Sequence, residues 1–161
     1  MVSRFNSEGY GGPTRYPRYL IDGHNLLYAC RQAFLGQLAD GHPGGAARAE
    51  LVRRLVAACP SPGPVLFVYF DGAEPNTLTP ANNIHVIYSG GDGDQRADGA
   101  ILRHVNAHCA GAADEQLVVV TRDIKLARRA RKRGAEVMDP GEFLQAWKID
   151  GGDTVGSPPQ P

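Results

Sequence analysis

Four aspartates stand where a chain alternating strands and helices would bring carboxylates together. Asp22 lies in Leu20-Ile21-Asp22-Gly23-His24-Asn25, Asp71 follows Val68-Tyr69-Phe70, Asp123 follows Val119-Val120-Thr121-Arg122, and Asp98 sits in Ala97-Asp98-Gly99-Ala100-Ile101. Asn25, three residues beyond Asp22, adds a neutral oxygen. Carboxylates crowded on one rim repel each other and raise each other's pKa values unless a cation neutralises them. Oxygen-only donors suit Mg²⁺ or Mn²⁺ over zinc, and an ion held with open water positions can activate water against a phosphodiester. A single Asp after a strand is commonly just a helix N-cap or an Asx-turn residue, so the chemistry rests on the grouping.

Such a rim needs particular elements beneath it. Five runs rich in aliphatic, aromatic or β-branched residues read as strands: Arg18 to Asp22, Val65 to Phe70, Ile84 to Ser89, Leu117 to Thr121 and Ala135 to Met138. Helical spacing separates them. Leu51, Val52, Leu55, Val56 and Cys59 share one face, as do Ala97, Ala100, Ile101 and Val105, and then Ile124, Leu126, Ala127 and Ala130, with Gly134 ending the last of these helices. Near-continuous apolar strands alternating with helices predict a parallel sheet covered on both faces, and ligands bind beyond the carboxyl ends of such strands. Three of those ends deliver an Asp, and Asp98 falls in the first turn of the helix after the third strand. The stretch Ala29 to Arg48, with Asp40-Gly41-His42-Pro43-Gly44-Gly45, reads as a loop joined to a short helix. Residues 1–17 and 151–161 lack periodicity and are expected to be flexible tails around one domain, 18–150.

At 161 residues and 42% hydrophobic, the chain suffices for one core. Lys+Arg 17 against Asp+Glu 17 leaves no net charge, so any polyanion site must be local. The dense basic run is Arg122, Lys125, Arg128, Arg129, Arg131, Lys132 and Arg133, of which residues 122, 125, 129, 132 and 133 share a helical stripe. A solvated face is the plain reading. The run nevertheless begins beside Asp123, where a phosphate backbone would enter, which makes Arg122, Lys125, Arg129 and Lys132 the candidates for holding substrate phosphates. Cys30, Cys59 and Cys109 form no C-x-x-C pair and read as small buried hydrophobes in a reducing cytoplasm. With no apolar run of about 18 residues and no signal-peptide layout, a soluble, cytoplasmic protein without a membrane partner is expected.

Other signals fall away. Asp92-Gly93-Asp94 is no calcium loop, since its twelfth position is Arg103, and Arg96 occupies the third glycine position of a dinucleotide site. His104 and His108 lie at i, i+4 without the Glu of a zinc-protease motif. His24 reads as a loop histidine near the rim.

The pattern Leu20-Ile21-Asp22-Gly23-His24-Asn25-Leu26, Phe70-Asp71-Gly72, Ala97-Asp98-Gly99-Ala100-Ile101, Val119-Val120-Thr121-Arg122-Asp123 and Gly134-Ala135-Glu136-Val137 with Phe143 resembles the NYN domain of YacP-like proteins, relatives of PIN nucleases. The resemblance runs from Arg18 to Trp147. It implies a three-layer PIN-like α/β domain with a parallel sheet of order 3-2-1-4-5 and an Mg²⁺- or Mn²⁺-dependent ribonuclease site. Asp22, Asp98 and Asp123 match the metal-binding acids, Asn25 the polar partner and Asp71 the acid after strand two. The implied substrate is RNA, taken here as single-stranded, attacked in line by metal-activated water. Association with the ribosome and endo- or exonucleolytic cutting are compatible with the resemblance and fixed by none of its motifs. Two departures stand out: Gly99 replaces the Ser or Asp that often follows the family's acid, and the acidic Gly90 to Asp94 loop lets Asp94 compete with Asp98 as third ligand. Two rivals remain. One is an RNA-binding module of the same fold that does not cut; the other is a phosphohydrolase of small esters, weakened because Asp22-Gly23-His24 lacks a second aspartate.

Overall fold

Strands apolar on both faces require helices on both sides of their sheet. A computed structural model describes residues 16–29, 38–39, 42–43, 45–72, 74–90, 96–111 and 115–149. Among them the elements run β1 (Arg18–Asp22), α1 (Gly23–Ala29), β2 (Leu38–Ala39), β3 (His42–Pro43), α2 (Gly45–Ala58), β4 (Val65–Phe70), β5 (Asn76–Ala81), β6 (Ile84–Tyr88), α3 (Arg96–Ala110), β7 (Leu117–Val120), α4 (Ile124–Lys132), β8 (Glu136–Met138) and α5 (Pro140–Ala146). The main sheet has the order β5-β6-β4-β1-β7-β8, and β2 pairs with β3 separately. The five expected strands are β1, β4, β6, β7 and β8, parallel and in the order 3-2-1-4-5.

The two faces separate by strand alternation. Tyr19 and Ile21 of β1, Leu66, Val68 and Phe70 of β4, and Val118 and Val120 of β7 enter one apolar cluster with α1, α2 and α5, through Leu26, Leu51, Leu55 and Phe143. Leu20, Tyr69, Leu117 and Val119 enter the other, against Ala97, Ile101 and Val105 of α3 and Leu126 and Ala130 of α4. The result is three layers.

Several elements differ from the sequence expectation, among them the short β2–β3 pair inside the stretch read as a loop and short helix. β5 is an added antiparallel edge strand, joined to β6 through Asn82-Asn83. Pro80 hides it in the sequence, because proline is barred from a central strand yet tolerated on an edge, and the register does shift between Leu78 and Ala81. α1 begins immediately after Asp22, where a loop was expected. Its Gly23 is obligatory, since a Cβ there would lie 2.4 Å from the Phe70 ring. α5 follows Asp139, whose carboxylate accepts from Gly141 N, with Pro140 in the first helical turn. Gly134, at φ +100°, ends α4 as expected.

α2 is longer than expected at 14 residues, its Glu50 clasped by Arg53 and Arg54. Cys59 is buried as expected, its thiol pushed up to about 11 by burial, whereas Cys109 is exposed and Cys30 lies outside the described residues. So do residues 1–15 and 150–161, and, within the Ala29 to Arg48 stretch, residues 30–37, 40–41 and 44. No described helix is long and apolar enough to cross a membrane.

Candidate active site

Alternation continues past the last paired residue and decides what the rim presents. Leu20, Tyr69 and Val119 face the α3 and α4 side, so Asp22, Asp71 and Thr121, each two residues on, fall on that side too. α3 covers this face and carries Asp98 in its first turn. The sequence places the acids on one rim, and the fold brings α1, α3 and α4 to it by their N-termini.

Each strand-end acid is anchored by one of those helices. Asp22 Oδ1 accepts from Asn25 N in the first turn of α1 (3.3 Å). Asp71 Oδ1 accepts from Ala97 N at the start of α3 (2.8 Å). Asp123 is the N-cap of α4, its Oδ1 accepting from Lys125 N (2.8 Å) and Leu126 N (3.0 Å). The capping role considered for such residues is therefore real, and it orients the carboxylates at the positive ends of helix dipoles.

Thr121 ties these parts together. Buried at the end of β7, its hydroxyl hydrogen is shared between Asp22 Oδ2 (3.2 Å) and Asn25 Oδ1 (3.1 Å), and its oxygen accepts from Asp123 N (3.1 Å). Asn25 Oδ1 also accepts from Arg122 N. The oxygen that the sequence offered to an ion is thus engaged by two protein donors, and Asn25 acts here as a brace between α1 and the β7 end.

The charges are crowded. Burial, then the neighbouring Asp22 and Asp123 charges, a hydrogen bond with Asp123 and the Asp71 charge push the Asp98 carboxyl up to about 7. Burial raises Asp22 to about 6, against the Asn25 amide and Thr121 hydroxyl, with Asp123 and Asp71 adding to the rise. Burial lowers His24, which feels both Asp71 and Arg48 and meets the Phe70 ring edge-on at 5.5 Å.

Among the described residues no three His, Cys, Asp or Glu side chains stand ready-made to grip an ion. The donor chemistry nevertheless fits a hard divalent cation: four carboxylates on one rim, three oriented by helix amides, with Asp98 raised partly by the charge of Asp22 and both raised by Asp71 and Asp123. Asp98 interacts with Asp22, Asp71 and Asp123 alike. Asp94 lies outside the described residues.

A family model described as a YacP-like NYN domain matches residues 19–150. The chain belongs to the YacP-like NYN domain family. Among solved structures, this NYN domain is similar to a point mutant of Rae1 (YacP) from Bacillus subtilis, with a TM-score of 0.64 and 21% identity, covering 82% of this chain and 75% of that one. At that identity the likeness speaks for the fold. No curated protein matches the chain. Family membership supports a nuclease-type role in general terms.

The basic candidates of this NYN domain divide. Lys125, Arg129 and Lys132 are exposed along α4, which starts at the rim. Arg122 is exposed too, but its guanidinium holds Asp139 through Nε to Oδ1 (3.0 Å) and Nη2 to Oδ2 (3.1 Å), committing it to the start of α5. Arg133 turns to Asn106 on α3 and to the Arg129 carbonyl. His104 meets the Tyr69 hydroxyl and His108 the Glu115 carbonyl, so the i, i+4 pair has separate structural partners. Sequence reasoning missed Thr121 as a site residue; its signal was a lone hydroxyl at the end of an all-valine run, two residues before an Asp.

Proposed function

We propose that the chain is a divalent-metal-dependent ribonuclease that hydrolyses phosphodiester bonds of single-stranded RNA. The observation that carries this reading is the gathering of Asp22, Asp71, Asp98 and Asp123 on one rim, at the N-termini of three helices. Asp22, Asp98 and Asp123 are the residues that would hold Mg²⁺ or Mn²⁺, with Asp71 beside them. The chemistry such an ion supplies when bound is activation of water and neutralisation of charge developing on the phosphate oxygens. Thr121 fixes the Asp22 carboxylate, and Asn25 fixes the junction of α1 with Arg122, so the acids are held before substrate arrives. Lys125, Arg129 and Lys132 hold flanking phosphates, with Arg122 and its pairing to Asp139 setting the edge of that surface. Membership of the YacP-like NYN family supports the nuclease reading; RNA as substrate, a cytoplasmic setting and association with the ribosome are parts of the proposal.

A second reading, an RNA-binding module that does not cut, is favoured by one observation: among the described residues no trio of acids is preassembled, and three carboxylates are occupied at helix starts. Cleavage of labelled RNA and DNA with Mg²⁺, with Mn²⁺ and with EDTA separates the two. RNA cutting that requires the ion and disappears in Asp22→Asn supports the nuclease. RNA binding with no cutting under any of these conditions selects the module.

A further inference from the structure

A cavity opens on the face of the sheet opposite the one to which the acids turn. It lies between α2 and the β5–β6 hairpin, measures about 520 Å³, and is lined by Arg48, Ala49, Val52, Leu78, Val86 and Tyr88 among others. That is within the ~300–1,000 Å³ of sites that take small organic groups. Its wall is largely apolar, with an aromatic ring and one cation. Arg48 Nε is buried without a hydrogen-bond partner among the described residues. A buried donor left unsatisfied is costly, and an arriving acceptor removes that cost.

Phe70, the residue before Asp71, packs against two residues of the cavity wall. Tyr88 stacks on the Phe70 ring, centroids 5.7 Å apart, and the Arg48 guanidinium lies 5.8 Å from the same ring. Phe70 and Gly72 flank Asp71, and a Cβ on Gly72 would come within 3.2 Å of Tyr88. Tyr88, a wall of the cavity, therefore packs against the Phe70 to Gly72 segment that carries Asp71.

We propose that this cavity is a nucleotide subsite: it receives one unpaired base of the RNA strand next to the scissile phosphate. The base lies against Tyr88 and the aliphatic wall, while Arg48 donates to an oxygen of that nucleotide. This rests on the ribonuclease reading above. Unpaired bases are recognised by stacking on aromatic side chains and guanidinium planes, the pair of groups this wall offers. Neutral Leu78 and Thr79 on β5 and Val52 on α2 place no carboxylate in the path of a phosphate. Among the described residues the single charged lining group is the cation, which complements a polyanionic strand.

The test measures kcat/KM for single-stranded oligoribonucleotides in which each position in turn carries an abasic residue. Wild type, Ala49→Trp, Arg48→Gln and Tyr88→Ala are compared in Mn²⁺. Ala49 is exposed, so its Trp substitution fills the cavity from the solvent side and leaves the core alone. Wild type should lose roughly tenfold at one position beside the cut, the scale of a single base stack. In Ala49→Trp and Tyr88→Ala, intact RNA should be cut roughly tenfold less well and the abasic penalty at that position should vanish. Arg48→Gln should shrink it. Identical position profiles in all four proteins overturn the subsite and leave the nuclease intact, as they would if the cavity held a protein segment. A wild type that cuts none of the RNAs removes the ribonuclease reading and the subsite with it.

Discussion

Asp98→Asn removes the charge that the rim tolerates least, so in metal-free protein it should raise stability. Asp98 titrates at about 7 in the fold against 3.8 for an unperturbed group. A folded-state pKa above the unfolded one means that the native protein keeps a proton the unfolded chain has released. That contribution is complete below about pH 4 and is lost as pH rises through about 7. The rise spans about three pH units at ~1.4 kcal/mol each, a ceiling of ~4 kcal/mol. Asp98 is only half-buried, and solvent screening reduces this to ~1–2 kcal/mol. The substituted amide does not titrate, yet it can donate to Asp123 as the protonated carboxyl does. Thermal unfolding in EDTA should show the variant and wild type close together at pH 4. At pH 8 the variant should melt higher by about 3–8 °C. Adding Mg²⁺ or Mn²⁺ should raise the wild type and leave the variant where it was, while RNA cleavage falls by orders of magnitude. Equal or lower melting of Asp98→Asn at pH 8 would show that Asp98 is not part of a repelling cluster, and the metal argument would lose its electrostatic basis.

Thr121→Val should cost ~1–3 kcal/mol in urea unfolding, by stranding the partners of its hydroxyl, and should lower cleavage about 10–100-fold; Thr121→Ser should restore most of both, and unchanged cleavage in Val would remove Thr121 from the site. Gly23→Ala should destabilise by ~1–3 kcal/mol because its Cβ would strike Phe70, although helix propensity alone favours Ala; a net gain in melting temperature would contradict the contact. Replacing Lys125, Arg129 and Lys132 together with Gln should flatten the salt dependence of RNA binding by up to ~2 in slope, at ~0.7 per lost phosphate contact; an unchanged slope, measured in the Asp98→Asn background, would leave α4 a solvated face.

The central sheet was legible because period-2 alternation and unbroken valine and leucine runs admit few other structures: β1 and β4 lie where Leu20-Ile21 and Val65 to Phe70 place them. The elements missed were those whose local chemistry argues against them. Pro80 and a polar run conceal β5, Gly23 and Asn25 conceal α1, and α5 was passed over despite Asp139-Pro140. The acids were legible as a group, since strand ends and helix starts meet on one side of a parallel sheet. What each oxygen bonds was not, because it depends on register between distant segments, such as Thr121 beside Asp22, 99 residues apart in the chain. Arg122 shows the same limit: the sequence puts it next to Asp123, and only the fold reveals that Asp139 claims its guanidinium.

The helix caps on the rim carry a consequence for how this domain can change. Asn and Asp cap helices about equally well, so capping by itself asks only for a short side-chain oxygen. Ionised carboxylates in this company repel one another, and Asp22 is already poised near 6 by burial and its neighbours. Amides at Asp22, Asp71 and Asp123 would keep every helix start while relieving that repulsion. A chain drifting toward a purely structural or binding role therefore has an easy exit, the small chemical step from Asp to Asn, that leaves its fold in place. This chain has taken that exit at none of the capping positions on the rim, and it holds instead a concentration of negative charge that its architecture does not require.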